Sequence, residues 1–240
     1  MYEQNMNAIK EIQSLLRQSI TIPQERAAYF FKTETGSYAE HDQFIGVKVP
    51  IIRAIAKKFP ALSRNKIQTL LKSPINEERF LALCILTDQY KKADTHTKKI
   101  LYQFYLNNLN HINNWNLVDA SAHLIIGAHI FKNNKDLLCT LAQSTVLWER
   151  RIAIVATWYF IRNNDLEWTF NIASMLLNDT HDLIHKAVGW MLREAGKRNE
   201  KALVEYLNQH AHHMPRTMLR YSLEKFSEVT RKKYLAQKDS

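Results

Sequence analysis

Apolar residues recur at the spacing of an α-helix along almost this whole chain, and few residues interrupt the pattern. Five glycines and five prolines among 240 residues make roughly 4%, where an average globular chain has about 12%. So few turn residues argue against a β-sandwich, a barrel or a Gly-rich nucleotide-binding fold. The periodicity predicts helices over 7–19, 24–32, 49–59, 64–73, 76–89, 95–107, 117–132, 136–143, 149–162, 165–177, 182–198, 200–209 and 217–226.

Helices rich in small apolar residues recur every 33–38 residues, and another amphipathic helix lies between each pair. Their register points are Ala82, Ala120, Ala153, Ala187 and Tyr221. A two-helix unit of this period is typical of an α-solenoid with HEAT-like or armadillo-like repeats. We therefore predict an all-α fold, a C-shaped solenoid with a concave basic groove, that forms a single domain over 1–240. An irregular helical bundle is the alternative.

The balance of charges indicates an anionic partner. The formal net charge is +10, although charge alone does not distinguish nucleic acid from an acidic protein or a membrane surface. Cys84 and Cys139 lie in apolar segments, so we expect two reduced thiols and a cytoplasmic protein. The N-terminus lacks a signal pattern and no run of about 18 apolar residues occurs, so we expect no membrane contact.

Polar residues at the starts of the recurring helices would lie along one groove of a solenoid. Trp115 and Asp119 are four residues apart, so on a helix they share a face, one turn apart. Arg150 and Arg151 lie near the start of the next recurring helix, where cations oppose the helix macrodipole, and this mildly favours a binding role. With Trp190, these positions would place a carboxylate, a guanidinium and two indoles on one surface. Core packing of the tryptophans and a helix-end role for Asp119 are the alternatives.

Other residues are interpreted as structural. His181 and His185 have the i, i+4 spacing of zinc ligands, but no third ligand is evident, so no metal site is predicted. Core positions are expected for Trp158 and Trp168, and surface positions for His181 and His185. Residues 210–213 are interpreted as an inter-helix turn, and Glu40 and Asp42 as hydrogen-bonding or capping groups.

Five segments resemble the AlkD-like family of bacterial DNA alkylation-repair glycosylases. They are YAEHDQFIGVKVP (38–50), INNWNLVD (112–119), WERRIAI (148–154), HKAVGWMLREAGKRN (185–199) and MPRTMLRYSLEKF (214–226). The resemblance covers roughly 8–228 and leaves 229–240 as a basic C-terminal tail. It implies an array of HEAT-like repeats, in agreement with the period of the recurring helices.

The resemblance also implies an activity and a set of residues. Enzymes of this family hydrolyse the N-glycosidic bond of cationic N3- and N7-alkylated purines in duplex DNA, without flipping the base and without a cofactor. Their catalytic Asp corresponds to Asp119 and its partner Trp to Trp115. The phosphate-contacting Arg corresponds to Arg151, and the second groove Trp to Trp190. This chain has Asn116 where many relatives carry Asp.

DNA contacts are expected mainly at phosphates. Arg151, Arg216 and Arg220 are candidates for those contacts, and the family's N-terminal DNA-facing aromatic corresponds to Tyr29. We expect a cytoplasmic monomer that associates with the nucleoid when bound to DNA. The alternative function is a non-enzymatic helical-repeat binder of branched or damaged DNA, or of an acidic protein partner.

Overall fold

The computed structural model describes residues 2–236, with the side chains of 8–236. This part of the chain contains helices, their connections and an isolated β-bridge between Gln43 and Ile75, with no β-strand among the described residues. Contacts divide the chain into two compact units, Met1–Ser121 (unit 1) and Ala122–Ser240 (unit 2).

The helices follow one another through short connections. Unit 1 contains α1 (Tyr2–Gln18), α2 (Gln24–Phe31), α3 (Val49–Ala56), α4 (Arg64–Leu71), α5 (Asn76–Lys92), α6 (Thr95–Leu106), a 3₁₀ turn (Leu109–His111) and α7 (Trp115–Ala122), whose last residue belongs to unit 2. Unit 2 continues with a π-helical segment (His123–Gly127), α8 (Ala128–Ile130), α9 (Asp136–Ala142), α10 (Leu147–Ala156), α11 (Trp158–Arg162), α12 (Glu167–Met175), α13 (Asp182–Gly196), α14 (Glu200–His210), α15 (Arg216–Ser222) and α16 (Glu228–Ala236).

The prediction of an all-α fold is confirmed. The five register points lie on α5, α7, α10, α13 and α15, and other helices alternate with these, which is consistent with an α-solenoid. The single domain, the C shape and the concave basic groove stay predictions. Residues 229–236 of the predicted tail lie in α16, and 237–240 lie outside the described residues.

Helix α5 forms the centre of unit 1. Its residues 80–87 (FLALCILT) are all buried, as expected for a helix that is apolar on every side. It packs against α1, α3, α4 and α6. Burial raises the pKa of the Cys84 thiol to about 11, so this buried cysteine is a structural residue and not a nucleophile.

Two helices predicted as continuous are interrupted in unit 2. The predicted helix over 117–132 contains the π-helical segment, where a Cβ on Gly127 would lie 2.2 Å from the carbonyl oxygen of Ala156. The predicted helix over 149–162 is divided at Thr157, whose hydroxyl donates to the Ile154 carbonyl at 2.7 Å. Close backbone contact and a side-chain bond to the backbone are local effects that apolar periodicity does not report.

Helix α13 is central to unit 2 and packs against α10, α12, α14 and α15. His181 is its N-cap residue, and its Nδ1 accepts a hydrogen bond of 3.1 Å from the Leu183 N–H. This bond requires a neutral imidazole. Burial, opposed by the charge of Asp179, lowers the pKa of His181 below its usual value and so favours that neutral form.

No helix within residues 2–236 is both long enough and apolar enough to cross a membrane.

Because the folded-state pKa of His181 is lowered, its cap is fully formed above pH about 6.5 and is lost as the pH falls below that value. Asparagine caps a helix without titrating. We therefore expect His181→Asn to reduce the loss of stability between pH 7 and 5 by up to about 1 kcal/mol, measured by urea unfolding. His96→Asn, at an exposed histidine of α6, is the control. Parallel stability curves for the wild type and His181→Asn would contradict this role.

Candidate functional site

A cleft of about 870 Å³ lies within unit 1 and contains both of the candidate residues from α7. Trp115 and Asp119 line it together with residues of α2, of the loop and helix at 46–53, and of the first turn of α5. Both side chains are half-buried. The structure therefore brings the predicted i, i+4 pair to one accessible surface.

Two aromatic rings contact the indole of Trp115, and a third extends the stack. Phe31 stacks on it at 5.1 Å between ring centroids and stacks in turn on Phe44 at 4.1 Å. Phe30 meets the indole edge-on at 5.8 Å. Aromatic pairs in such geometries each contribute about 0.5–1.5 kcal/mol beyond the area they bury. These contacts hold the Trp115 ring in one orientation beside Asp119.

Cationic side chains line the same cleft. Arg26, Lys48 and Arg53 are all exposed, and the guanidinium of Arg53 lies 5.5 Å from the centroid of the Phe80 ring. A cleft with aromatic walls and exposed cations is suited to a ligand that combines flat rings with negative charge.

The loop that supplies Lys48 is held by a buried carboxylate. Glu77 Oε1 accepts backbone N–H bonds from Gly46 at 2.8 Å, Ile45 at 3.1 Å and Val47 at 3.3 Å. Gly46 has a φ of +88°, and a Cβ there would lie 2.0 Å from the Ile22 carbonyl oxygen, so the turn requires glycine. Glu77 is therefore committed to the loop, and Asp119 is the other carboxylate that lines the cleft.

Arg151 and Trp190 lie in unit 2. Arg151 is only 5% exposed, and its Nη1 donates to the Leu183 carbonyl at 2.5 Å, next to the start of α13. Trp190 is half-buried and packs edge-on against Trp158, with ring centroids 5.0 Å apart. Convergence of these two residues with Trp115 and Asp119 stays a prediction.

Arg150 has a structural role in unit 2. Its Nε donates to Asp179 at 2.6 Å, and its Nη1 donates to the carbonyls of Ser144 and Thr145 at 3.0 Å. These hydrogen bonds explain why a cation lies near the start of α10, so no bound ligand is needed to explain it.

The predicted DNA-contacting residues have different environments. Tyr29 is 81% exposed but does not line the cleft, whereas its neighbour Phe30, 64% exposed, does. Arg216 is exposed and donates to the Leu235 carbonyl at 2.7 Å, and Arg220 is exposed.

Sequence reasoning did not identify several residues of the cleft. The family resemblance assigned the N-terminal aromatic to Tyr29, whereas its neighbour Phe30 lines the cleft. Phe44 lies in one of the five segments that resemble the family, but nothing in the sequence linked it or Arg53 to the distant Trp115. The cleft residues missed at the sequence level are Arg26, Phe30, Phe31, Phe44, Lys48 and Arg53.

The structural roles expected for other polar residues agree with the structure. Glu40 accepts the Gly36 N–H at 2.6 Å, and Asp42 is buried among hydrogen-bond donors. His181 caps α13, and His185 Nε2 contacts the Asp179 carbonyl. Trp158 and Trp168 are both half-buried rather than in the core, and the Lys135 ammonium lies 5.8 Å from the Trp168 ring. Among the described residues, no group of three or more His, Cys, Asp or Glu side chains could hold a metal ion.

Comparison with known proteins identifies the family. The family model for DNA alkylation repair enzymes matches residues 12–226. The chain belongs to this family. Membership supports an enzymatic role in DNA repair, with DNA as the partner.

A solved structure similar to this DNA alkylation repair family member supports the fold. The predicted DNA alkylation repair enzyme from Enterococcus faecalis has a TM-score of 0.66 and 15% sequence identity, covering 85% of this chain and 95% of that chain. At this identity the similarity concerns the fold alone. A sequence search of curated proteins finds no match.

The ring stack around Trp115 gives a prediction about the stability of this family member. Phe31→Leu removes two stacking contacts of a half-buried ring, so it is expected to lower the free energy of unfolding by about 1–2 kcal/mol and to change the near-ultraviolet circular dichroism of tryptophan. Phe30→Leu, at the exposed neighbour, is expected to lower it by less than about 0.5 kcal/mol. Equal losses in urea unfolding would contradict the stack as the support of Trp115.

Proposed function

We propose that this protein is an AlkD-like DNA glycosylase that hydrolyses the N-glycosidic bond of cationic N3- and N7-alkylated purines in duplex DNA. The observation that carries the proposal is the pairing of Asp119 with the ring-supported Trp115 in one cleft lined by cations, in a member of a DNA alkylation repair family. No cofactor is part of the proposed reaction.

The proposed reaction needs an ionised carboxylate near the sugar, but no general acid to protonate the leaving base. Alkylation at N3 or N7 gives the purine a positive charge, so the base leaves as a neutral molecule without protonation. Positive charge then develops on the deoxyribose as the bond breaks. The Asp119 carboxylate can stabilise that cation and orient or deprotonate the attacking water. Glycoside hydrolases use carboxylates for the same electrostatic reason.

The indoles of Trp115 and Trp190 are assigned to the same cationic transition state. An electron-rich ring face near a cation stabilises it by about 0.5–2 kcal/mol. The ring stack on Trp115 supports this role, because an indole already held in place loses little entropy when substrate binds.

Arg151 is assigned to a backbone phosphate of the DNA. One of its Nη atoms is held by the Leu183 carbonyl, which orients the side chain. Guanidinium has five N–H donors in a planar fork, a geometry that matches a phosphate group.

Selectivity in this proposal comes from the lability of the lesion rather than from extrusion of the base. A cationic alkylpurine leaves readily once the sugar cation is stabilised, whereas a neutral modified base lacks that advantage. Neutral lesions are therefore poor substrates in the proposed mechanism.

Loss of the Asp119 charge tests the proposed catalysis. Asp119→Asn is expected to lower the rate of 7-methylguanine release from methylated duplex DNA by about 100-fold or more, because the sugar cation loses its counter-charge. The rate is measured at enzyme in excess over DNA, with the released base quantified by chromatography. Asp88→Asn, at an exposed carboxylate of α5, is the matched control.

Release at the wild-type rate by Asp119→Asn would remove the assigned role. Wild-type protein that binds DNA but releases no base would support the non-enzymatic binder instead.

Phosphate contacts give a second prediction. If about four phosphates are neutralised, the affinity for duplex DNA falls by about 100-fold between 50 and 200 mM salt. Arg220→Gln is expected to reduce the slope of log affinity against log salt by about 1, measured by fluorescence anisotropy. Lys201→Gln is the control, at an exposed lysine 4.0 Å from Glu205. An affinity insensitive to salt would contradict a DNA-binding surface.

A further inference from the structure

Asp42 is a buried carboxylate surrounded by hydrogen-bond donors, and it lies outside the cleft. Its side chain has no exposed surface. It accepts from Asn76 Nδ2 at 2.8 Å and from Asn114 Nδ2 at 2.6 Å, and it pairs with the Arg79 guanidinium. The exposed ring of His41 adds Nε2 at 3.1 Å. The residue therefore joins the loop at 33–47 to the first turn of α5 and to the residue that precedes α7.

Asn114 connects Asp42 to the start of α7. Its carbonyl accepts the N–H groups of Leu117 and Val118, both at 3.1 Å, so its position sets where the helix begins. Asn114 is fully buried, and among the described residues its side-chain oxygen has no hydrogen-bond partner. The bond to Asp42 is thus the contact that orients this side chain.

Asn113 and Asn116 also connect the start of α7 to the first turn of α5. Arg79 Nη1, on the guanidinium that pairs with Asp42, donates to Asn113 Oδ1 at 3.1 Å. Asn116 Nδ2 donates to Asn76 Oδ1 at 2.7 Å, and Asn76 Nδ2 also approaches Asn116 Oδ1 at 3.4 Å. The three asparagines of the string NNWN therefore anchor the helix start to partners that converge on Asp42.

Trp115 and Asn116 of this string line the cleft. One turn later on α7 is Asp119, so any rotation or shift of the helix start moves both side chains together. Displacement of reacting groups by about 1 Å can reduce a rate by about 100-fold.

We propose that Asp42 is a positioning residue that sets the register of the first turn of α7 and thereby the placement of Trp115 and Asp119. Its charge is balanced by Arg79, so the cluster adds little net field to the cleft and acts through geometry. The inference rests on the proposed function for what Trp115 and Asp119 do, but the placement itself can be measured without catalysis.

Two variants separate the connection from the buried ion pair. Asp42→Asn removes the charge and leaves the Arg79 guanidinium without its counter-ion. Asn114→Ala removes the one bond from Asp42 to α7 while Asp42 keeps Arg79 and Asn76, so this variant is expected to fold. Tyr105→Phe is the control, because it removes the buried 2.8 Å hydrogen bond between Tyr105 and Ser121 of α7, away from the helix start.

Three quantities are measured for each variant. The first is the indole ¹H–¹⁵N resonance of Trp115, assigned with Trp115→Phe. The second is the rate of 7-methylguanine release with enzyme in excess, and the third is the affinity for undamaged duplex DNA. The melting temperature is recorded so that the variants can be compared at equal loss of stability.

We expect Asp42→Asn and Asn114→Ala to shift the Trp115 indole resonance and to lower the release rate by about 10- to 100-fold. The affinity for undamaged DNA should change less than threefold, since the cations of the cleft are retained. Tyr105→Phe should leave the resonance and the rate unchanged, whatever its melting temperature.

An unmoved Trp115 resonance in Asn114→Ala would overturn the positioning role, whether or not the protein is a glycosylase. A rate loss no greater than that of Tyr105→Phe in an active wild type would also overturn it. A wild type without base release would refute the proposed function alone, because the resonance would still report the placement of Trp115.

Discussion

Burial of the first turn of α5 is the constraint on which unit 1 depends. Four consecutive polar residues, Asn76, Glu77, Glu78 and Arg79, are each at most 4% exposed. A buried polar or charged group is costly unless it is paired, so each of them requires a partner from elsewhere in the chain. Glu77 binds the N–H groups of 45–47, Glu78 accepts from Gln13, and Arg79 pairs with Asp42. These pairings hold the loop at 33–47 and α1 against the start of α5. Asp42 also accepts from Asn114, which connects the start of α7 to the same place.

The cleft follows from that arrangement. The loop held by Glu77 carries Lys48, and the helix start held through Asp42 carries Trp115. Phe31 then fills the space between the indole and Phe44. In unit 2, a related use of a helix start is seen at Leu183, whose N–H is capped by His181 and whose carbonyl holds Arg151. In both units, a residue with a proposed catalytic or DNA-binding role lies at a helix start, where backbone groups lack partners within the helix.

The sequence was informative where a signal is local. Apolar periodicity and the recurring register points predicted the helices and the repeated order of α5, α7, α10, α13 and α15. The i, i+4 spacing predicted that Trp115 and Asp119 share a face. Periodicity failed at Thr157 and at the π-helical segment, because a hydroxyl bonded to the backbone and a close approach of two helix backbones do not alter the apolar pattern. The family resemblance indicated Tyr29, whereas Phe30, one residue later, lines the cleft.

By itself, the sequence determined the all-α class, the helix order and the pair on α7, since each depends on residues within a few turns of one another. Only the tertiary structure decided that Phe44, Arg53 and Asp42 belong with Trp115, because they come from segments dozens of residues away. Their contacts are set by which buried polar groups can be satisfied together and which rings can fill the space that remains. Neither the polar pairing nor the ring packing produces a periodic pattern in the sequence.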